Sequence, residues 1–364
     1  MEKYEGTKPE GALTALITPF VIGDIDWKGY NTNIEFQISE GISGLVPVGT
    51  TGESPTTSHE EHISLIRECS RAVNKRCPVI GSTGSNSTAE SMDMTKAVEK
   101  YIDGVLLVDC YYNGPSSLEL RREYYEPIAA KFPHLLIVPY VIPGRTGTAI
   151  IPQDLMILNS KYPNVAAIKE ATGELERMIV ERKLMPYVSI ISGDDNLTAW
   201  YRKGGVVKEG IMVHPDVRGE GVISVVSNVA PRYVEKLTRS ILDGNYDEAR
   251  KLWEDLEPLF NVVTVSTTEE IEYNGDVHRV SYKFRNPVPI KTLMKGLGMC
   301  AGSVRQPLGR MTESGVEQVR NAAIAVYNRN PEVLKPIEDA YNVSLQERLF
   351  DDRFWKPLAY ERLA

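Results

Sequence analysis

Cysteine is scarce in this chain: four residues in 364, Cys69, Cys77, Cys110 and Cys300, with no CxxC pair and no histidine pattern beside them. Neither a disulfide scaffold nor a zinc site is indicated, and the four read as reduced, mostly buried thiols. Basic residues are in deficit as well, 41 Lys plus Arg against 49 Asp plus Glu, for a formal net charge of −8. That balance does not suit a phosphate backbone, so no nucleic-acid partner is expected. No apolar run approaches the roughly eighteen residues of a membrane span, and the opening MEKYEGTKPEG has no apolar signal core. A cytoplasmic protein that does not enter a membrane is expected. No GxGxxG follows the first apolar segment. This removes the main dinucleotide-binding competitor, and neither a cofactor nor a metal is expected.

What the chain does have is a rhythm. Its composition, 42% hydrophobic and 25% charged, is that of an ordinary soluble domain. Eight short apolar segments recur with room for a helix after each: GALTALITPF from Gly11, GISGLVPVG from Gly41, CPVIGSTG from Cys77, GVLLVD from Gly104, HLLIVPYVI from His134, NVAAIKEA from Asn164, VSIISGDD from Val188 and GVISVVSN from Gly221. Stretches between them, such as HEEHISLIRECSRAVNK and LELRREYYEPIAAKF, carry apolar residues at spacings of three and four. Strand and helix in alternation predict a parallel sheet, and eight repeats predict an α/β fold of the (β/α)8 TIM-barrel class over residues 1–230. Residues 231–364 are expected to form a C-terminal helical region. Within it, about 262–285 alternates apolar and polar residues around Asn274-Gly275-Asp276 and predicts an inserted β-hairpin. VVKEGIMVHPDVRGE, Val206 to Glu220, precedes the eighth strand and is expected on the bottom face. The closing SLQERLFDDRFWKPLAYERLA is aromatic and amphipathic, suited to packing on the body or on a neighbouring subunit.

In such a barrel the chemistry gathers where the strands end. The second segment ends in Gly49-Thr50-Thr51-Gly52-Glu53, the fifth in Tyr140 and then Pro143-Gly144-Arg145-Thr146-Gly147, the sixth in Lys169-Glu170 and the seventh in Gly193-Asp194-Asp195. An ammonium after Val165-Ala166-Ala167-Ile168 is costly unless it is used, or unless it snorkels to water. Used, Lys169 would be a partly desolvated amine that attacks a ketone to form an imine. Tyr140 can shuttle the protons this needs through Thr50, or it can simply cap the barrel core. Thr50 and Thr51 can equally be turn-forming hydroxyls. Arg145 offers a fork of donors to a carboxylate, with a surface salt bridge as the competing reading.

GLVPVGTTGES, VIGSTGSNSTAES, YYN, PGRTG, AIKEATG, SGDD, GVISVVSN and NPVPIK stand in this order from about Gly11 to Gly298. Together they resemble the dihydrodipicolinate synthase branch of the pyruvate-dependent class I aldolase/lyase superfamily. The resemblance implies condensation of pyruvate with L-aspartate 4-semialdehyde to give 4-hydroxy-tetrahydrodipicolinate, in lysine biosynthesis by the diaminopimelate route. It implies that Lys169 is the Schiff-base lysine and that Thr50, Tyr140 and Tyr112, the last reaching from an adjoining subunit, form a proton relay. Thr51 would hold the pyruvate carboxylate, Arg145 the carboxylate of the semialdehyde, and Gly193 and Ile223 would be further substrate-binding positions. Ser54, His59, His62, Asn86, Glu90 and Tyr111 match an inhibitory L-lysine site at a tetramer's dimer interface; the run from Ser54 to Glu61 also reads as a capped, acidic helix start. A homotetramer or homodimer is implied. The Gly-Arg-Thr-Gly loop and the Thr-Thr pair favour the synthase over a sister pyruvate aldolase such as a sialic acid lyase, and the complete relay disfavours a non-catalytic regulatory barrel. The hairpin and the long tail have no counterpart in typical members.

Overall fold

The computed structural model of the chain describes residues 4, 6, 8–201, 207–208, 211–212 and 219–363. All eight apolar segments form parallel strands: β1 Gly11–Ala15, β2 Gly44–Val46, β3 Ile80–Ser82, β4 Gly104–Val108, β5 Leu136–Val141, β6 Ala167–Glu170, β7 Ser189–Ser192 and β8 Gly221–Ser224. They run β2-β1-β8-β7-β6-β5-β4-β3 in one sheet. A parallel bridge between Leu45 and Val79 joins the two end strands and closes the barrel.

Alternation along each strand decides what goes inside. Leu13, Val46, Ile80, Leu106, Ile191 and Ile223 fill the barrel's interior, whereas Leu45, Val105, Ile168 and Val222 face the surrounding helices. Each such burial contributes about 1.5–3 kcal/mol, which makes a register slip on any strand prohibitive. The helices are α1 Trp27–Ser39, α2 His59–Val73, α3 Thr88–Val98, α4 (Ser117–Glu119, Leu120–Tyr125 with π pitch, Glu126–Lys131), α5 Pro152–Lys161 and α6 Leu175–Leu184. They continue with α7 Pro231–Asp243, α8 Tyr246–Phe260, α9 Val288–Leu297 and α10 Glu313–Arg329. The capped start read from the sequence is real: Ser58 and Glu61 form a reciprocal capping box on α2. Helix α7 is tied to the sheet, Glu235 accepting from Ala12 N and from Ser43 Oγ, both at 2.7 Å.

The hairpin forms where its Asn-Gly pair predicts. Strands β9 Thr264–Tyr273 and β10 Asp276–Arg285 pair from Thr264↔Arg285 to Tyr273↔Asp276. Asn274 and Gly275 both take positive φ, 53° and 85°, as a two-residue I′ turn requires. Val265 and Thr267 are buried at its base, where Gln318 of α10 donates to Ser266 O; its tip, with Tyr273 and Val277, is exposed. The C-terminal tail folds onto this chain's own body. Trp355 is buried against Gly296 of α9 and donates from Nε1 to Arg348 O at 2.7 Å. Of Val206–Glu220, most lies outside the described residues; Val207–Lys208 and Ile211–Met212 pair as a short antiparallel ladder. Among the described residues no helix is long and apolar enough to cross a membrane.

Candidate active site

Lys169 follows Ala167 by two residues on β6, so it shares that residue's inward face and points into the barrel. It pairs in register with Tyr140 of β5 on one side and Ile191 of β7 on the other. Only 6% of its surface reaches solvent, and Nζ lies 4.0 Å from the centre of the Tyr140 ring. The snorkelling alternative is thereby removed. Desolvation brings the Lys169 amine down to about 8, against the opposing pull of Asp194 and Asp195. Asp194 is itself raised to about 6, chiefly by desolvation and despite the Lys169 charge. Its neighbour Asp195 is turned away into a structural role, accepting from Ser224 Oγ and from Val225 N at 2.9 Å and so joining β7 to β8.

Burial pushes the Tyr140 phenol up to about 12, against the Arg145 charge and a hydrogen bond with the Thr50 hydroxyl, both of which favour ionisation. Thr50 belongs to a tightly wound loop after β2. Val48 and Glu53 flank it in the left-handed region, φ 56° and 60°, and a Cβ on Gly52 would sit 2.8 Å from Val48 Cα. A conformation this unusual for non-glycine residues costs about 1–3 kcal/mol each and persists only where the surroundings hold it. Here the holder is Lys291 of α9, fully buried, whose Nζ donates to Glu53 Oε1 at 2.6 Å, Thr18 O at 2.8 Å and Ser303 O at 2.6 Å. Glu53 also accepts from Arg305 N at 2.9 Å.

Thr51 is buried and accepts from Asn286 Nδ2 at 2.9 Å. Asn286, the first residue after β10, also receives Arg145 Nη2 on its carbonyl at 2.9 Å. Arg145 is exposed on the one-turn helix Pro143–Thr146, and its guanidinium is lowered by partial desolvation and by the charge of Arg285. Gly193 crosses the site so closely that a Cβ there would meet Ala171 Cβ at 2.4 Å and Lys169 Cε at 3.2 Å. Ile223 is in the barrel interior, in the same apolar cluster as Tyr140.

The structure therefore brings together Lys169, Tyr140, Thr50, Thr51, Arg145 and Gly193, with Ile223 lining the interior. Tyr112 is not among them in this chain: its side chain is 92% exposed, on a residue with φ 77°. A cavity of about 290 Å³ runs from Thr50 and Tyr140 outward to Ser54, His59, His62, Asn86, Glu90 and Tyr111. Along its wall His59 Nε2 lies 2.8 Å from Glu90, Ser85 Oγ donates to the same carboxylate, and His62 Nε2 meets Ser82 O at 2.6 Å. Burial lowers the His62 imidazole from its usual value, against the opposing pull of the Ser82 carbonyl and Glu90. Asn286, Lys291 and Glu53 were not singled out as site residues by sequence reading, although NPVPIK and GTTGES contain them.

The model of the dihydrodipicolinate synthetase family matches residues 8–326. The 4-hydroxy-tetrahydrodipicolinate synthase of Syntrophus aciditrophicus is 40% identical over 313 residues, 85% of this chain and 96% of that protein. The solved 4-hydroxy-tetrahydrodipicolinate synthase of Methylacidiphilum fumariolicum superposes with a TM-score of 0.76 at 37% identity, covering 92% of this chain and 100% of that one. The enzyme of Cyanidioschyzon merolae, solved with lysine bound, gives a TM-score of 0.75 at 31% identity, over 87% of this chain and 98% of that one. With a barrel, a buried lysine and a threonine–tyrosine pair at its mouth, and relatives matched over nearly their whole length, the chain belongs to the dihydrodipicolinate synthetase family.

Proposed function

We propose that the chain is a 4-hydroxy-tetrahydrodipicolinate synthase, condensing pyruvate with L-aspartate 4-semialdehyde through an imine on Lys169. The observation that carries this reading is the Lys169 amine, buried, brought down to about 8 and seated over the Tyr140 ring. The free amine attacks the pyruvate ketone, and the carbinolamine loses water to give a protonated imine. The imine draws electrons from the methyl carbon, which loses a proton to form an enamine. The enamine carbon attacks the aldehyde, whose oxygen takes up a proton. The amino group of the bound semialdehyde then attacks the imine carbon, closes the ring and displaces Lys169 as the free amine. One water is lost overall.

Tyr140 and Thr50 move the protons, and their mutual hydrogen bond supports a relay. Tyr112 completes it from an adjoining subunit; its exposure supports a role outside its own chain. Thr51 holds the pyruvate carboxylate, Arg145 that of the semialdehyde, and Gly193 and Ile223 line the substrate. Residues 1–230 serve as the catalytic barrel, and the 231–364 region braces its mouth. Ser54, His59, His62, Asn86, Glu90 and Tyr111 take L-lysine as inhibitor. The enzyme works in the cytoplasm as a homotetramer or homodimer, apart from membranes and nucleic acid.

Borohydride reduction with pyruvate, followed by peptide mass mapping, tests the centre of this reading. A pyruvyl adduct on the peptide containing Lys169 is expected; its absence removes the imine. Turnover with L-aspartate 4-semialdehyde then separates this activity from a sister aldolase.

A further inference from the structure

The hairpin's last residue, Arg285, stands beside Arg145 in a crosswise arrangement. Arg285 Nη1 donates to Gly144 O at 2.9 Å, and Arg145 Nη2 donates to Asn286 O at 2.9 Å. Each guanidinium is thus bonded to the carbonyl of the residue next to the other. Carbonyls fix their positions but leave their charges uncompensated, and among the described residues neither arginine forms an ion pair with a carboxylate. Two like charges held together in this way repel, and the repulsion is felt at Arg145. Hairpin anchorage alone would need only a donor to Gly144 O, which a neutral amide provides. The charge of Arg145 also reaches Tyr140 and Lys169, and Arg285 is held against Arg145 by the crossed carbonyl bonds, so it adds its charge on the side of Arg145. A carboxylate presents two oxygens in the plane that a guanidinium fork fits, and a second fork doubles the available donors. In a chain of net charge −8 such a cationic entrance also focuses anions locally.

We propose that Arg285 is a specificity-determining residue, forming with Arg145 a two-guanidinium anchor for the carboxylate of the acceptor aldehyde. This rests on the reading of Lys169 as an imine former that condenses with an acidic aldehyde. The β9–β10 hairpin then has a use at the active site: its base delivers the second cation.

The test compares Arg285→Gln, which can still donate to Gly144 O, and Arg285→Lys with the parent enzyme at saturating pyruvate. The glutamine variant should raise KM for L-aspartate 4-semialdehyde about tenfold, and the lysine variant by no more than about threefold. Borohydride trapping of the pyruvate imine should be unchanged in both, and the salt dependence of kcat/KM should flatten in the glutamine variant. A glutamine variant within about twofold of the parent, or one that loses imine trapping and semialdehyde use together, overturns the proposal. If the parent does not turn over the semialdehyde, the functional reading fails, and the anchor is judged by succinate binding to the pyruvate-loaded enzyme in a calorimeter. Weaker succinate binding in the glutamine variant than in the parent supports the anchor. Equal binding, or none by the parent, overturns it.

Discussion

The role proposed for Lys169 requires a buried amine, and burial of an ammonium works against folding. With the amine at about 8, roughly one molecule in ten carries the free base at pH 7 and half do at pH 8. The rate of imine formation with pyruvate should therefore climb with pH between 6 and 8 and level off above, as stopped-flow trapping can measure; a flat profile would show that the amine is already free. The same shift sets a stability cost. The folded-state value lies below the ordinary 10.5, so the native protein binds this proton less tightly than the unfolded chain does. The penalty is fully present below about 8 and fades as pH rises toward 10.5. Lys169→Met should thus stabilise the protein at pH 7 by about 3 kcal/mol, less at pH 10, in urea melts at the two pH values. At this scale the sequence was readable for Lys169 and Tyr140, because a polar residue that ends a buried strand has few places to go. It was not readable for Asn286, whose contact with Thr51 spans 235 positions of sequence and is set by packing, not by local pattern.

The loop after β2 and helix α9 act as one unit through the Lys291–Glu53 pair. Both groups are fully buried, so removing one partner strands the other's charge in the interior. Lys291→Met should cost about 3–5 kcal/mol by denaturant midpoint, and adding Glu53→Gln should recover much of it. Equal stability of the single and double variants would mean that the pair is not coupled. Because Glu53 sits at φ 60° directly after the Thr50-Thr51-Gly52 turn, the single variant should also lower kcat as the loop relaxes. Elements were legible from the sequence wherever a periodic pattern met punctuation: the eight strands, the capped start of α2, and the hairpin at Asn274-Gly275. What the elements were for was less legible. The same alternation that predicted β9 and β10 could not say that their base ends beside Arg145, since that depends on how the C-terminal helices sit on the barrel.

Across the whole molecule, one continuous cavity joins Thr50 and Tyr140 of the candidate active site to the Glu90 cluster proposed to take L-lysine. If L-lysine occupies its outer end, added lysine should lower turnover, and Glu90→Gln should raise the half-inhibitory concentration about tenfold or more with little change in substrate KM. Indifference of the parent enzyme to millimolar lysine would remove the regulatory reading. The closure of the barrel bears on how such an inhibitor would act. β4 and β5 pair through five residues, Gly104 to Val108, whereas β2 and β3 meet at the single Leu45–Val79 bridge, with backbone bonds from Leu45 N to Pro78 O and Ser82 N to Pro47 O beside it. The seam with the fewest stitches therefore runs beside the cavity, between the strand that leads to Thr50 and the strand that leads to Asn86. In the proposed scheme a guest wedged there would press on the wall with the fewest backbone links, and the nearest group of the proposed relay is Thr50. Inhibition through this seam would need no signal relayed across the fold: it would be a local pry on a loosely sewn edge, felt one loop away.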